Sequence, residues 1–204
     1  MLEEDRLYIA SLFALDALRA KWGTAISEYR RQKLETVADS GAKNLGLLVE
    51  YLTLEALSAA KPGFFPPCRI ETGAHGKPEL SDCPGLHFSL SHDGDYAAVL
   101  LSTAPVGLDL VRKRPVRTGL ADRIATARER EELRSATDGD DAVLKLWARK
   151  ESVQKWSGLG FTLPMRSIET SGKAFYEESF ANCFLCAYSD RPLRIRRWFI
   201  GGME

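Results

Sequence analysis

The chain has no apolar run near the roughly 20 residues that a membrane-spanning helix requires, so an integral helical membrane protein is not expected. It has no excess charge of either sign, because 28 basic residues balance 28 acidic ones. A globally basic nucleic-acid binder is thereby disfavoured, and any anion site must come from local clustering. The first residues, Met1-Leu2-Glu3-Glu4-Asp5, are acidic, the wrong sign for a secretory leader. A cytoplasmic protein with neither a nucleic-acid nor a membrane partner is expected. Cysteine is sparse, and Cys68, Cys83, Cys183 and Cys186 should be reduced thiols in that compartment. Cys183 and Cys186 have C-x-x-C spacing but fall in a segment that reads as a strand. Positions three apart on a strand face opposite sides, which suits a shared metal poorly, and no second ligand pair at zinc spacing is clear. No sequence-level repeat is evident.

What is present is a chain of 204 residues, 45% hydrophobic, enough for one sizeable core or two small ones packed together. Leu7–Ala10 reads as a first strand. Residues 27–38 begin as a charged helix that Ser27 can cap, carrying Arg30, Arg31 and Lys33, and residues 39–41 break it. Lys43–Ala60 is an amphipathic helix with a Leu45, Leu48, Leu52 stripe, stopped at Lys61-Pro62-Gly63. A Pro- and Gly-rich region follows to residue 84, with a turn at Gly76-Lys77-Pro78. Strands are expected at 86–90, 96–102 and 106–111, with Ser91-His92-Asp93-Gly94 joining the first two. A charged helix over 123–134 comes next, then a helix carrying Trp147–Trp156, which Asp141 could cap and Gly158 ends. Residues 183–188 and 193–200 read as a terminal hairpin turned at 189–192. The order indicates an α+β fold of two similar halves, 1–105 and 106–204. Each half would be a small antiparallel-rich sheet packed on a long helix, the pair forming one compact unit with a site between them.

The helix at 147–156 holds the most informative residues. Glu151 and Lys155 are spaced i, i+4 and share a face. On spacing alone they form a surface ion pair worth a few tenths of a kcal/mol. Leu144 and Trp147 flank that face, however, which points to half-buried charges in need of partners. Asp109 ends the apolar run Val106-Gly107-Leu108, where a carboxylate is costly unless it accepts hydrogen bonds or meets a cation. A strand-end cap is the plainer reading of Asp109. The more specific one has Asp109 and Glu151 converging on a hard cation such as Mg²⁺, which takes one or two carboxylates together with phosphate oxygens and water.

Four motifs in order make the comparison specific. Gly76-Lys77-Pro78 is followed by Ser89-Leu90-Ser91-His92, then Val106-Gly107-Leu108-Asp109, then Trp147-Ala148-Arg149-Lys150-Glu151 with Lys155 beyond. The chain resembles the 4′-phosphopantetheinyl transferase superfamily, Sfp-type, which carries G-K-P, S-x-S-H, V/I-G-x-D and W-x-x-K-E-x-x-x-K in that order.

The resemblance implies transfer of the 4′-phosphopantetheine arm of coenzyme A to a serine hydroxyl of an apo acyl or peptidyl carrier protein, releasing 3′,5′-ADP. Such carriers serve fatty-acid, polyketide or nonribosomal peptide synthesis. Mg²⁺ would be the metal, with Mn²⁺ able to replace it, and Asp109 and Glu151 its ligands. Glu151, or a water it orients, would accept the serine proton, and Lys155 would stabilise charge on the phosphates. The resemblance also assigns coenzyme A contacts to Arg30, Lys33, Lys77, Ser91, His92 and Lys150, and a monomer to the chain.

Two departures stand out. Many relatives have an acidic residue two positions after the aspartate, where this chain has Val111. A glutamate at that position would be expected to lower the Mg²⁺ requirement. Residues 39–44 also lack the relatives' aromatic and charged run. The alternative function is a non-catalytic module that binds coenzyme A or a carrier protein. A nucleic-acid binder using Arg191–Arg197 and Trp198 is the remaining reading, opposed by the zero net charge.

Overall fold

Short polar side chains set where the N-terminal helices begin. Ser27 Oγ accepts the Arg30 amide and caps the helix α2 (Glu28–Glu35), and an Asp39 carboxylate oxygen accepts the Ala42 amide and caps α3 (Ser40–Ala60). The expected break at 39–41 is therefore corrected: Asp39 starts the next helix. The computed structural model describes residues 2–201. The chain opens with β1 (Asp5–Ser11) and α1 (Leu15–Trp22), followed by α2 and α3. It continues through β2 (Ile70–Thr72), β3 (Pro78–Leu80), β4 (His87–Asp93), β5 (Tyr96–Ser102) and β6 (Gly107–Arg112). Next come α4 (Leu120–Ile124), α5 (Ala127–Arg134) and α6 (Gly139–Ser157), then β7 (Tyr176–Phe180), β8 (Cys183–Tyr188) and β9 (Ile195–Ile200).

The strand pairing repeats. One sheet runs β4-β5-β1-β9 and another runs β6-β8-β7. Apart from β9, each has a first strand, a long helix, then a hairpin whose second strand pairs antiparallel with the first. The α+β class and its small antiparallel-rich sheets agree with the sequence reading. In the first half, α3 buries Leu48, Leu52 and Leu57 against Tyr8, Ala97 and Val99. In the second, α6 presents Leu144 and Ala148 to Val111, Phe184 and Cys186. A third cluster, with Leu7, Ile9, Leu100, Leu108 and Leu185, joins the two sheets.

The terminal hairpin does not form. β8 pairs with β6 and β7, while β9 pairs in parallel with β1 in the other sheet. The buried Asp5 carboxylate redirects the chain. It accepts from Arg191 Nη2 at 2.6 Å and from the Arg194 amide at 2.9 Å, which carries residues 191–194 across to β1. By strand pairing, residues 195–200 thus go with the first half rather than with 106–204. The charged helix expected over 123–134 is two short helices, because Thr126 leaves helical geometry and forms a capping box with Glu129. Asp138, not Asp141, caps α6. Ser91, His92 and Asp93 belong to β4 itself. Among the described residues no helix is long and apolar enough to cross a membrane. The four cysteines are free, with Cys183 and Cys186 in separate apolar clusters as strand alternation requires.

Candidate active site

Strand alternation builds one wall of the site. Every second residue of β4 turns the same way, and Ser89, Ser91 and Asp93 accept the backbone amides of Leu108, Leu110 and Arg112 on β6, at 2.9, 3.1 and 2.9 Å. These side chains tie the first half to the second where no backbone ladder does. Ser91 does more: its hydroxyl donates to Asp109 Oδ1 at 2.9 Å and accepts from Lys155 Nζ at 3.0 Å. Lys155 Nζ lies 2.8 Å from Asp109 Oδ1, so the buried carboxylate and the half-buried ammonium form an ion pair bridging β6 and α6.

Gly107 makes this closeness possible. A Cβ there would fall 1.8 Å from the Ser152 carbonyl oxygen and 2.5 Å from the Trp156 amide nitrogen, both backbone atoms of α6. The helix therefore rests on the strand backbone itself. From there α6 delivers Glu151 and Lys155 to a cleft of about 280 Å³ lined also by Tyr29, His75, Lys77, Ser89, Gln154 and Gly158. The surface pair expected from the i, i+4 spacing is replaced by one across elements, since the carboxylate ion-paired to Lys155 is Asp109.

Electrostatics mark the same place. Burial, then the Asp109 charge, pushes the Glu151 carboxyl above its ordinary range, with Lys155 opposing. His92 keeps solvent contact on one side. Desolvation on its protein side, followed by the Arg30 and Lys155 charges, holds its imidazole below the ordinary histidine range. Burial likewise depresses Lys77, whose ammonium donates to the carbonyls of Val106 and Trp156 at 3.2 Å each. Lys33 is exposed at the edge of α2, 5.5 Å from the Tyr29 ring.

Lys150 is the residue the structure removes from the expected phosphate cradle. It is fully buried, ion-paired to Glu129 at 2.6 Å, and donates to the carbonyls of Met165 and Ile168 at 3.1 and 2.5 Å. Neighbouring helix positions point about 100° apart, so Lys150 faces α5 while Glu151 faces β6. Burial pushes the Glu129 carboxyl up, but hydrogen bonds from Lys150, Thr170 and Thr126 outweigh it and leave its pKa below the usual range. Val111 is 3% exposed and packs against Leu144, Ala148, Phe184 and Cys186. A glutamate there would enter apolar surroundings.

Sequence reasoning missed Tyr29, which lines the cleft with its ring 5.8 Å from the Arg30 guanidinium and 5.5 Å from the Lys33 ammonium, and Ser89, two residues before Ser91 on the same strand face. The second was open to the period-2 rule. Among the described residues no group of three or more His, Cys, Asp or Glu could hold a metal. Asp109 and Glu151 nevertheless suit Mg²⁺, which is commonly bound by one or two carboxylates plus substrate phosphates. The Glu151 carboxyl is raised first by burial and then by the Asp109 charge, and a cation between the two carboxylates would offset the second of these.

Residues 105–194 match the profile of the 4′-phosphopantetheinyl transferase superfamily. Relatives include the 4′-phosphopantetheinyl transferase Sfp of Bacillus subtilis, 31% identical over 61% of this chain and 59% of its own. The B. subtilis 4′-phosphopantetheinyl transferase ffp is 30% identical over the same shares. The mouse L-aminoadipate-semialdehyde dehydrogenase-phosphopantetheinyl transferase is 28% identical over 74% of this chain and 55% of its own. Over residues 105–194 the chain is thus similar to the 4′-phosphopantetheinyl transferase superfamily, and over a longer stretch to its Sfp-type members. It spans less than two thirds of the length of these relatives.

Proposed function

We propose that the protein transfers the 4′-phosphopantetheine arm of coenzyme A to a serine hydroxyl of an apo acyl or peptidyl carrier protein. The observation that carries the reading is the junction of Ser91, Asp109 and Lys155, with Glu151 beside it, at a cleft between the two halves. Asp109 and Glu151 would hold Mg²⁺, or Mn²⁺ in its place. When bound, the metal supplies charge neutralisation on the pyrophosphate.

The reaction is a phosphoryl transfer dominated by positioning and electrostatics. The serine oxygen forms a bond to the phosphorus that bears the pantetheine arm. The bond from that phosphorus to the oxygen bridging it to the adenosine portion breaks, and 3′,5′-ADP leaves with the electron pair. The serine proton passes to the Glu151 carboxylate or to a water it orients. Lys155, which pairs with Asp109 and lines the cleft, would turn part of its charge to a phosphate oxygen bound there. Ser91 keeps Asp109 oriented. Arg30 and Lys33 would place positive charge at the nucleotide's end of the cleft, His92 would offer a neutral imidazole for hydrogen bonding there, and Lys77 adds a cation in its wall.

The location proposed is the cytoplasm, consistent with four unpaired cysteines, and the state proposed is a monomer. Incubation with coenzyme A, Mg²⁺ and a panel of apo carrier proteins, read by intact mass, tests the reading. Each modified carrier should gain one phosphopantetheine arm, with 3′,5′-ADP released in equal amount. Coenzyme A binding with no mass gain on any carrier would instead support the non-catalytic module.

A further inference from the structure

Arg30 is 7% exposed, and its Nε lies 3.5 Å from Oε2 of Glu50, itself 1% exposed. Neither of these two atoms has a hydrogen-bond partner, so the contact is a charge attraction without a directional bond. The other oxygen of Glu50 accepts the Ser27 amide at 2.7 Å, at the residue that caps α2. One carboxylate on α3 therefore docks the start of α2 and neutralises the arginine one turn into it. Gly46 allows the two helices to meet, since a Cβ there would fall 2.8 Å from Leu34 Cδ2 and 3.8 Å from Arg30 Nη1.

An ionised carboxylate is costly to bury, and docking a helix start requires only a neutral acceptor. The charge on Glu50 thus calls for a reason beyond packing. Arg30 supplies one. Its guanidinium lies 5.8 Å from the ring of Tyr29, which lines the cleft, and its charge reaches His92 on β4. Among the described residues no acceptor hydrogen-bonds its terminal nitrogens, which leaves a charge-balanced fork of donors beside Tyr29 of the cleft.

We propose that Glu50 is a positioning residue that holds the Arg30 guanidinium aimed at a phosphate of the nucleotide. The proposal rests on the reading of the cleft as a coenzyme A site. Glu50 touches no substrate, so its influence should appear in nucleotide affinity and hardly at all in turnover at saturating coenzyme A. Glu50→Gln keeps an oxygen for the Ser27 amide and removes only the charge.

The test is calorimetric binding of coenzyme A and of 3′-dephospho-coenzyme A to the full chain. The proteins compared are wild type, Glu50→Gln, Arg30→Met and the double variant, with steady-state KM and kcat alongside. Glu50→Gln should weaken coenzyme A binding about tenfold, the worth of a charge-assisted contact, raising KM while kcat is kept. The double variant should bind no more weakly than Arg30→Met. A loss confined to coenzyme A would assign Arg30 to the 3′-phosphate, and an equal loss with both ligands to the pyrophosphate. Wild-type affinity in folded Glu50→Gln would overturn the proposal, as would a double variant clearly weaker than Arg30→Met. If Glu50→Gln gives no cooperative melt, the comparison of Arg30→Met with the double variant decides alone, because neither leaves an unbalanced arginine. A wild-type protein that binds no coenzyme A would overturn this proposal and the functional reading together. Wild-type binding with an unaltered Glu50→Gln overturns this proposal only.

Discussion

Gly107→Ala tests whether the contact of α6 on β6 sets the site. The new methyl carbon would stand 1.8 Å from the Ser152 carbonyl oxygen, against a practical floor of 3.0 Å, and a second backbone atom, Trp156 N, lies at 2.5 Å. Neither obstacle is a side-chain tip that could swing away, so the helix itself has to retreat by more than 1 Å. Overpacking of this kind costs about 1–3 kcal/mol. In a domain of this size that lowers Tm by roughly 2–12 °C. The retreat also stretches the 2.8 Å Lys155–Asp109 pair and shifts Glu151, and a displacement of ~1 Å can cost about 100-fold in rate. The assay is kcat/KM for carrier modification beside a thermal melt. A Gly107→Ala protein with near-normal turnover and an unchanged melt would refute the argument that this close approach positions the site.

Glu129→Gln should cost about 3 kcal/mol or more in urea unfolding, because it leaves the buried Lys150 ammonium without its counter-charge. Coenzyme A affinity of the folded fraction should hardly change, and a tenfold loss on Lys150→Met would return Lys150 to the phosphate site. Glu151 has a raised pKa in the fold, so its protonated form is the stabilising one; that contribution is present at low pH and lost as pH rises through the folded value. Glu151→Gln should therefore raise Tm at neutral and alkaline pH and converge with wild type in acid, while transfer is lost. A Tm gap that does not vary with pH would contradict this. Val111→Glu should destabilise the fold by about 3 kcal/mol or more by burying an unpaired carboxyl. A stable variant with a lower Mg²⁺ requirement would show that residue 111 reaches the site.

Local chemistry made most of the architecture legible. Ser27 as a cap, the leucine stripe of α3 and the apolar run into Asp109 are all near-neighbour signals, and each formed the element it indicated. Misplaced caps and breaks aside, the failures that changed the topology were long-range. Nothing near residues 189–194 reveals that Asp5, far away in sequence, will capture Arg191 and pull β9 into the other sheet. The motif order also identified Asp109, Glu151 and Lys155 as one group, but Lys150 shows its limit. A lysine beside a site glutamate looks like part of the site until helical rotation turns it toward Glu129 on α5. Glu50 was invisible for a similar reason, being one polar residue inside an apolar helix whose partner lies on another helix.

The most direct test of the central claim is the intact mass of an apo carrier protein after incubation with coenzyme A, Mg²⁺ and either wild type or Asp109→Ala. Asp109 joins both halves of the cluster, accepting from Ser91 and pairing with Lys155. The account predicts that wild type adds one phosphopantetheine arm to the carrier, and that folded Asp109→Ala adds almost none. Full modification by Asp109→Ala at the wild-type rate would contradict it.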